Sequence, residues 1–144
     1  MNEQTVTLPK SFYWIASLAV VWNLIGIASY LAQVTMSPEA IAQLPIEQQP
    51  LYREIPVWAT SAYAIAVTAG VIGSVLLLLR KSLAMPFLAL SLAGIIVQMA
   101  HAFLLTDALD VLGITSAILP LFLIAVAIAL LWYFHYCRKQ GWII

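Results

Sequence analysis

The chain has 144 residues, of which 64% are hydrophobic and only 8% are charged. Soluble domains carry about 25% charged residues, so this composition excludes an ordinary soluble domain. The net charge of zero gives no basic footprint for nucleic acid, and none is expected as a partner. The single cysteine, Cys137, excludes an internal disulfide, a redox CxxC pair and a cysteine zinc site.

Four apolar stretches contain no Asp, Glu, Lys or Arg, and they run roughly over 11–31, 56–79, 83–105 and 117–136. A helix needs about 20 residues to cross a hydrocarbon core of ~30 Å. The sequence therefore predicts an all-α, integral membrane four-helix bundle that forms a single transmembrane domain over 1–144. The run after Lys10 is longer than the about 7–15 apolar residues of a signal-peptide core, so we expect span one to be retained.

The charges between the spans predict an orientation. The basic residues are Lys10 before span one, Arg80 and Lys81 between spans two and three, and Arg138 and Lys139 after span four. The other two loops are acidic: one holds three glutamates against one arginine, and the other holds two aspartates. By the positive-inside bias, both termini are cytoplasmic and the acidic loops face outward.

The loop between spans one and two carries helix signals. Ser37, Pro38 and Glu39 read as an N-cap, a first helical residue and a first-turn acid. A second short helical piece is expected over 47–54, interrupted by Pro50. We therefore predict a short helical cap in this outer loop, and a disordered linker is the alternative.

Span two is rich in small residues. Ala62, Ala66, Gly70 and Ser74 recur at four-residue spacing, which lets helix backbones approach closely in lipid. This pattern predicts that span two is the central packing helix. The three residues 80–82 predict a tight hairpin between spans two and three.

Polar residues inside lipid cost free energy unless they find partners, so their positions are informative. In each of spans one to three they recur at steps of three and four, which places them on one helical face. Converging faces would enclose an outward-facing polar cavity with aromatic walls. The candidate ligand-binding residues are Asn23, Tyr30, Trp58, Tyr63, Gln98 and His101. Alternatively, these side chains only hydrogen-bond across helices and fix the packing.

Catalytic and metal chemistry find little support. The spans contain no carboxylate pair and no Ser-His-Asp arrangement, so no catalytic residue is assigned. A lipid-modifying enzyme with His101 as base is a minor alternative. His101, Asp107 and Asp110 offer three possible metal ligands, but their spacing matches no metal motif. The sequence therefore predicts no metal and no cofactor.

Several segments carry a resemblance to a known group. They are FYWI at 12–15, WNLIG at 22–26, PVWATSAYAIAV at 56–67, LLLRK at 77–81, QMAHAF at 98–103, Pro120 and GW at 141–142. Together they resemble a group of small four-span bacterial membrane proteins that are sometimes labelled sugar transporters. The resemblance implies a multi-pass protein of the bacterial inner (cytoplasmic) membrane with no established cofactor. No catalytic motif stands behind the label, so no site residue is carried over.

Two functional hypotheses follow from the residues. The first is a small binding or transport protein whose cavity between spans one to three holds a small polar or amphipathic ligand. Asn23, Gln98 and His101 would orient that ligand, and Tyr63 and Trp58 would line its site. Four helices enclose little space, so a full transport pathway would need a homo-oligomer. The second is a non-catalytic accessory subunit that docks a partner membrane protein through span four or the small-residue face of span two.

Overall fold

The computed structural model describes residues 6–144, and this range is helical without strands. The seven α-helices and the 3-10 helix are α1 (Lys10–Val34), α2 (Pro38–Ala42), α3 (Gln49–Arg53), α4 (Val57–Leu78), α5 (Ala84–Leu104), α6 (Ala108–Leu112), the 3-10 helix (Ile114–Ala117) and α7 (Ile118–Lys139). Helices α1, α4 and α5, and α7 with the 3-10 helix before it, are long and apolar enough to cross a membrane. The four predicted long helices are thus confirmed.

The helix ends differ from the predicted spans by a few residues. Helix α1 continues three residues past the expected end, to Val34, and α7 continues three residues past it, to Lys139. An apolar run stops where polar residues begin, whereas backbone hydrogen bonding continues into polar residues. Arg138 and Lys139 occupy the last turn of α7, where cations complement the helix dipole.

Helix α4 lies at the centre of the bundle, as its small-residue spacing predicts. It packs extensively against both α1 and α5, and α5 packs in turn against α7. A methyl group on Gly94 of α5 would stand 2.8 Å from the Ala62 carbonyl oxygen of α4. The two backbones meet so closely that only glycine fits at this position.

The two ends of the bundle differ in charge and packing. We call the end with Lys10, Arg80 and Lys139 the basic end, and the opposite end, with the 35–56 and 105–117 segments, the acidic end. The main apolar core lies at the basic end. Its buried members are Phe12, Ala16, Leu77, Ala84, Leu88, Phe134 and Cys137.

The turn between α4 and α5 is the predicted tight hairpin, and it is also tied to the residues after α7. Arg80 adopts a left-handed conformation with φ 63°. Its Nε donates to the Trp142 carbonyl over 2.7 Å, and the Ile144 amide donates to the Arg80 carbonyl over 2.6 Å. The Ser82 amide donates to the Ile144 carbonyl over 3.1 Å. These bonds fasten the 142–144 segment across the basic end.

The 35–56 segment contains the two short helices that the sequence indicates. Ser37 is the N-cap of α2, and its Oγ accepts from the Ala40 amide over 3.2 Å. The expectation that Pro50 interrupts the second helix is wrong. Pro50 lies in the first turn of α3, where an amide would have no partner inside the helix, so its missing N–H costs nothing there.

Candidate functional site

A cavity of about 340 Å³ lies between the four long helices, on the acidic-end side of the core. Ligand-binding cavities typically start at about 300 Å³, so this volume suits a small molecule. The lining residues are Trp22, Asn23, Ile25, Gly26 and Ser29 of α1, Tyr63, Ala66, Val67 and Gly70 of α4, Leu88, Ser91, Ile95, Gln98 and Met99 of α5, and Leu119, Leu123, Val126, Ala127 and Leu130 of α7. We call this space the main cavity.

The walls of the main cavity have different chemistry. Every lining residue from α7 is apolar, whereas α1, α4 and α5 contribute the polar side chains. The polar residues of the sequence predict a cavity between spans one to three. They do not predict the wall that α7 contributes. Helix α7 carries no polar stripe that would mark it as part of a site. The only available signal was that a fourth helix, packed on α5, completes the bundle and can therefore form one wall of a cavity inside it.

Asn23 fastens α1 to α4 at the edge of the main cavity. Its Nδ2 donates to Ser74 Oγ and to the Ala19 carbonyl, each over 2.9 Å. Ser74 Oγ in turn donates to the Gly70 carbonyl over 2.7 Å. Both bonds of the Asn23 amide nitrogen are therefore made inside the protein, which gives this residue a packing role.

Ser91 makes the corresponding connection between α5 and α4. Its hydroxyl is buried and donates to the Ala66 carbonyl over 2.7 Å. Gly70 leaves room for these groups, since a methyl there would clash with Asn23 Oδ1 and stand 3.0 Å from Ser91 Oγ. The polar contacts between the central helices thus depend on one glycine.

The two candidate tyrosines lie against each other. Tyr63 lines the main cavity, and the ring of Tyr30 packs edge-to-face on it with centroids 5.3 Å apart. Tyr30 itself lines neither this cavity nor the second one described next. Tyr30 therefore supports the cavity wall from behind.

A second cavity of about 160 Å³ lies nearer the acidic end. Its lining residues are Gln33, Leu51, Tyr52, Ile55, Ala59, Gln98, His101, Ala102, Phe103, Thr106, Ala108 and Leu112. Gln98 lines both cavities, so its side chain stands where the two spaces adjoin. We call this space the upper cavity.

His101 lines the upper cavity and is held by an aromatic neighbour. The Trp58 ring meets the His101 ring edge-to-face, with centroids 5.1 Å apart and an interplanar angle of 89°. Trp58 is 49% exposed and lines neither cavity. Of the six candidate residues, Asn23, Tyr63 and Gln98 thus face the main cavity, His101 faces the upper one, and Tyr30 and Trp58 support them.

The polar side-chain atoms of Gln98 and His101 are available to a ligand. Within residues 6–144 neither side chain hydrogen-bonds to the protein, and every fully buried side-chain nitrogen or oxygen in that range has a partner. The amide of Gln98 and the ring nitrogens of His101 are therefore accessible to a molecule in the cavities.

The main cavity opens sideways between α1 and α7. Ile25 and Leu119 line it, yet they are 56% and 61% exposed, so each also faces the outside of the bundle. Trp22 and Phe122 bridge the same two helices edge-to-face, with centroids 5.6 Å apart. The cavity wall between these helices is therefore formed partly by residues that belong to the outer surface of the bundle.

Neither cavity is lined by Asp, Glu, Lys or Arg. Asp107 and Asp110, considered above as possible metal ligands, are exposed and line neither space. Asp107 is the N-cap residue of α6, but its side chain makes no capping hydrogen bond, and Thr106 Oγ1 accepts from the Ala108 amide. Among residues 6–144, no three His, Cys, Asp or Glu side chains come together as metal ligands would.

Comparisons of the chain with protein-family models, with curated proteins and with solved structures find no match.

Proposed function

We propose that this chain is a multi-pass membrane protein that binds a small amphipathic molecule taken up from the bilayer. The basic end lies in the cytoplasm with both termini, and the acidic end faces outward, as the loop charges favour. The 35–56 segment then forms a short helical cap on the outer side. The resemblance of the sequence supports a bacterial inner membrane as the location.

The lining of the main cavity supports an amphipathic ligand. The α7 wall, with Leu123 and Val126, offers only apolar contact, while Tyr63 and Gln98 opposite it offer hydrogen bonds. An apolar part of the ligand would lie against α7 and a polar part against α5. The sequence predicts a small ligand that is either polar or amphipathic, and the apolar wall formed by α7 favours an amphipathic one.

The sideways opening carries the proposal. Ile25 and Leu119 both line the cavity and face outward, so the cavity is continuous with the surface that would contact lipid. A ligand that partitions into the bilayer is already concentrated at this opening. Trp22 and Phe122 stand at the opening and would part or rotate as the ligand passes.

A matched pair of variants tests whether the cavity binds such a molecule. Ala127→Trp places a large ring in the cavity, whereas Ala129→Trp makes the same change on the exposed face of the same helix. The probe is monododecanoylglycerol, a neutral amphipath, added to purified protein released from a mild detergent. Native mass spectrometry counts the probe molecules on each chain and reports the oligomeric state.

We expect the wild-type protein and Ala129→Trp to carry one saturable probe molecule per chain. Ala127→Trp should carry none, while a thermal-unfolding midpoint close to the wild-type value shows that it folds. Equal probe binding by all three proteins, or binding that never saturates, contradicts the proposal. A homo-oligomer would extend the proposal from binding toward transport, since one copy encloses little space.

An accessory subunit is the second candidate function, and the structure changes which helix surface could bind the partner. The small-residue face of α4, with Gly70 and Gly73, is buried against α1 and α5 of the same chain. The exposed apolar face of α7, with Leu121, Ile128 and Trp132, is the remaining candidate surface. If a partner protein covers it, a lipid-soluble photoreactive carbene precursor labels Trp132 in purified protein but not in native membranes. Equal labelling in both settings argues against this function.

A further inference from the structure

We propose that the upper cavity is a second subsite that binds the uncharged, hydroxyl- or carbonyl-bearing head of the ligand whose apolar part occupies the main cavity. This inference rests on the proposed function and adds the chemical class of the ligand. It divides the site into an apolar subsite against α7 and a polar subsite beside His101.

The two cavities adjoin at one side chain. Gln98 lines both, and His101 follows three residues later on the same face of α5, lining the upper cavity alone. The main cavity, which would hold the apolar tail, and the upper cavity, which would hold the polar head, therefore follow each other along one turn of α5. A single elongated molecule with its polar group toward the acidic end can occupy both.

The polar groups of the upper cavity are placed to bind a ligand. Trp58 packs edge-to-face on the His101 ring, 5.1 Å away, and restricts its orientation. The side chains of Gln98 and His101 make no hydrogen bond to the protein within residues 6–144, and Gln33, Tyr52 and Thr106 add neutral polar side chains to the lining. An amide, an imidazole and a phenol can each donate to or accept from hydroxyl and carbonyl groups, whereas the Thr106 hydroxyl already donates to the Ala102 carbonyl and accepts from the Ala108 amide.

The charges around the upper cavity favour an uncharged head. A charged group placed there would lose much of its hydration without meeting a carboxylate, ammonium or guanidinium group, since no Asp, Glu, Lys or Arg lines the space. Glu54 and Asp107, each next to a lining residue, are exposed. Arg53, beside the lining residue Tyr52, is exposed as well, so these three charges lie outside the cavity and give a charged head no partner within it.

The test compares three probes with the same chain and different heads. They are monododecanoylglycerol, dodecanoate and dodecyltrimethylammonium, which are neutral, anionic and cationic. Each is titrated into wild-type protein, His101→Phe and Gln98→Leu, with His135→Phe on the exposed face of α7 near the basic end as the matched control. Native mass spectrometry gives the dissociation constant of each probe, and thermal unfolding shows which variants are folded.

We expect the neutral probe to bind the wild-type protein most tightly. His101→Phe and Gln98→Leu should each weaken it about tenfold, because hydrogen bonds of about 1–2 kcal/mol are lost. The two charged probes should change little in either variant, and His135→Phe should change none of the three. The separate Gln98→Leu measurement keeps the test decisive if His101→Phe does not fold.

Three results overturn the inference or its ligand class, and they are distinguishable. If all probes saturate the main cavity but show no preference for the neutral head and no effect of either variant, the head subsite is wrong while the proposed function stands. Tighter binding of the cationic probe likewise overturns the uncharged class alone. If no probe binds saturably to the wild-type protein, both the inference and the proposed function fail.

Discussion

The half of the bundle near the basic end is packed, whereas the half near the acidic end encloses space. Near the basic end Phe12, Leu77 and Phe134 are fully buried, each with 0% exposure. Toward the acidic end the bundle contains two cavities, and the side chains of Gln98 and His101 make no hydrogen bond to the protein within residues 6–144. The same helices thus hold the bundle together at one end and leave room for a ligand at the other.

The boundary between the halves is marked by hydrogen bonds between helices. Asn23 bonds to Ser74, one turn before the core residue Leu77, and Ser91 bonds to the Ala66 carbonyl one turn after the core residue Leu88. Lipid tails are as apolar as leucine, so helices in a bilayer associate through close packing and such bonds. These two contacts keep the cavity walls at a fixed separation.

The largest expected effect comes from a change in the packed half. Phe134→Ala should lower the free energy of unfolding by about 3 kcal/mol through the void it leaves, at the lower end of values for buried Phe→Ala. Phe122→Ala, the same change on the same helix, should cost far less, because Phe122 is 53% exposed. Unfolding in mixed micelles measures both. Equal losses would show that the two halves contribute alike to stability.

A change at the boundary should have the next largest effect. Gly70→Ala places a methyl where it clashes with Asn23 Oδ1, and overpacking of this kind costs about 2 kcal/mol. The double variant with Asn23→Ala should recover part of that loss, since the clashing oxygen is gone. Gly26→Ala is the control, with its nearest contact at 3.2 Å from a Val67 methyl. No recovery in the double variant would rule out the Asn23 contact as the cause.

The hydrogen bond at the boundary should contribute less. Asn23→Ala removes the bond to Ser74, and such bonds between membrane helices average about 0.6 kcal/mol. A double-mutant cycle with Ser74→Ala isolates this coupling from other effects. Ser29→Ala serves as control, because that hydroxyl bonds only within α1. A coupling energy of zero between Asn23 and Ser74 would show that their hydrogen bond does not stabilise the boundary.

The smallest effect is expected outside the bundle, in the 35–56 segment. Ser37→Ala removes the N-cap of α2, a local loss of about 1 kcal/mol, and should speed exchange of the Ala40 amide about fivefold. Ser37→Asp, another good capping residue, should restore slow exchange. Global unfolding should change little in either variant. A large global change would show that this segment contributes to the packed half.

Much of the bundle follows from local rules that the sequence displays. Charge-free stretches of sufficient length predict the four long helices, the spacing around Gly70 predicts the central position of α4, and Ser37 with Pro38 predicts the start of α2. Each of these depends on residues within one helix or one turn. The helix ends at Val34 and Lys139 were missed because hydrogen bonding continues past the apolar run.

The site follows from contacts between distant segments, which one sequence does not display. The α7 wall depends on how that helix packs on α5, and its apolar face looks the same whether it lines a cavity or contacts lipid. The upper cavity exists as a separate space because residues of the 35–56 segment line it together with His101. The hydrogen bonds that hold residues 142–144 at the basic end depend on the left-handed conformation of Arg80. Polar residues in the spans identified the region, but not which of them already have partners.

Photolabelling in a bilayer tests the central claim most directly. Wild-type protein is reconstituted in nanodiscs with a monoacylglycerol that carries a diazirine in its chain, and labelled residues are mapped by mass spectrometry. We expect labelling of Met99, which lines the main cavity, to be suppressed by unlabelled monododecanoylglycerol. Labelling of the exposed Trp132 should not be suppressed. Labelling of Trp132 alone, or labelling of both residues without suppression, would contradict a ligand site between the four helices.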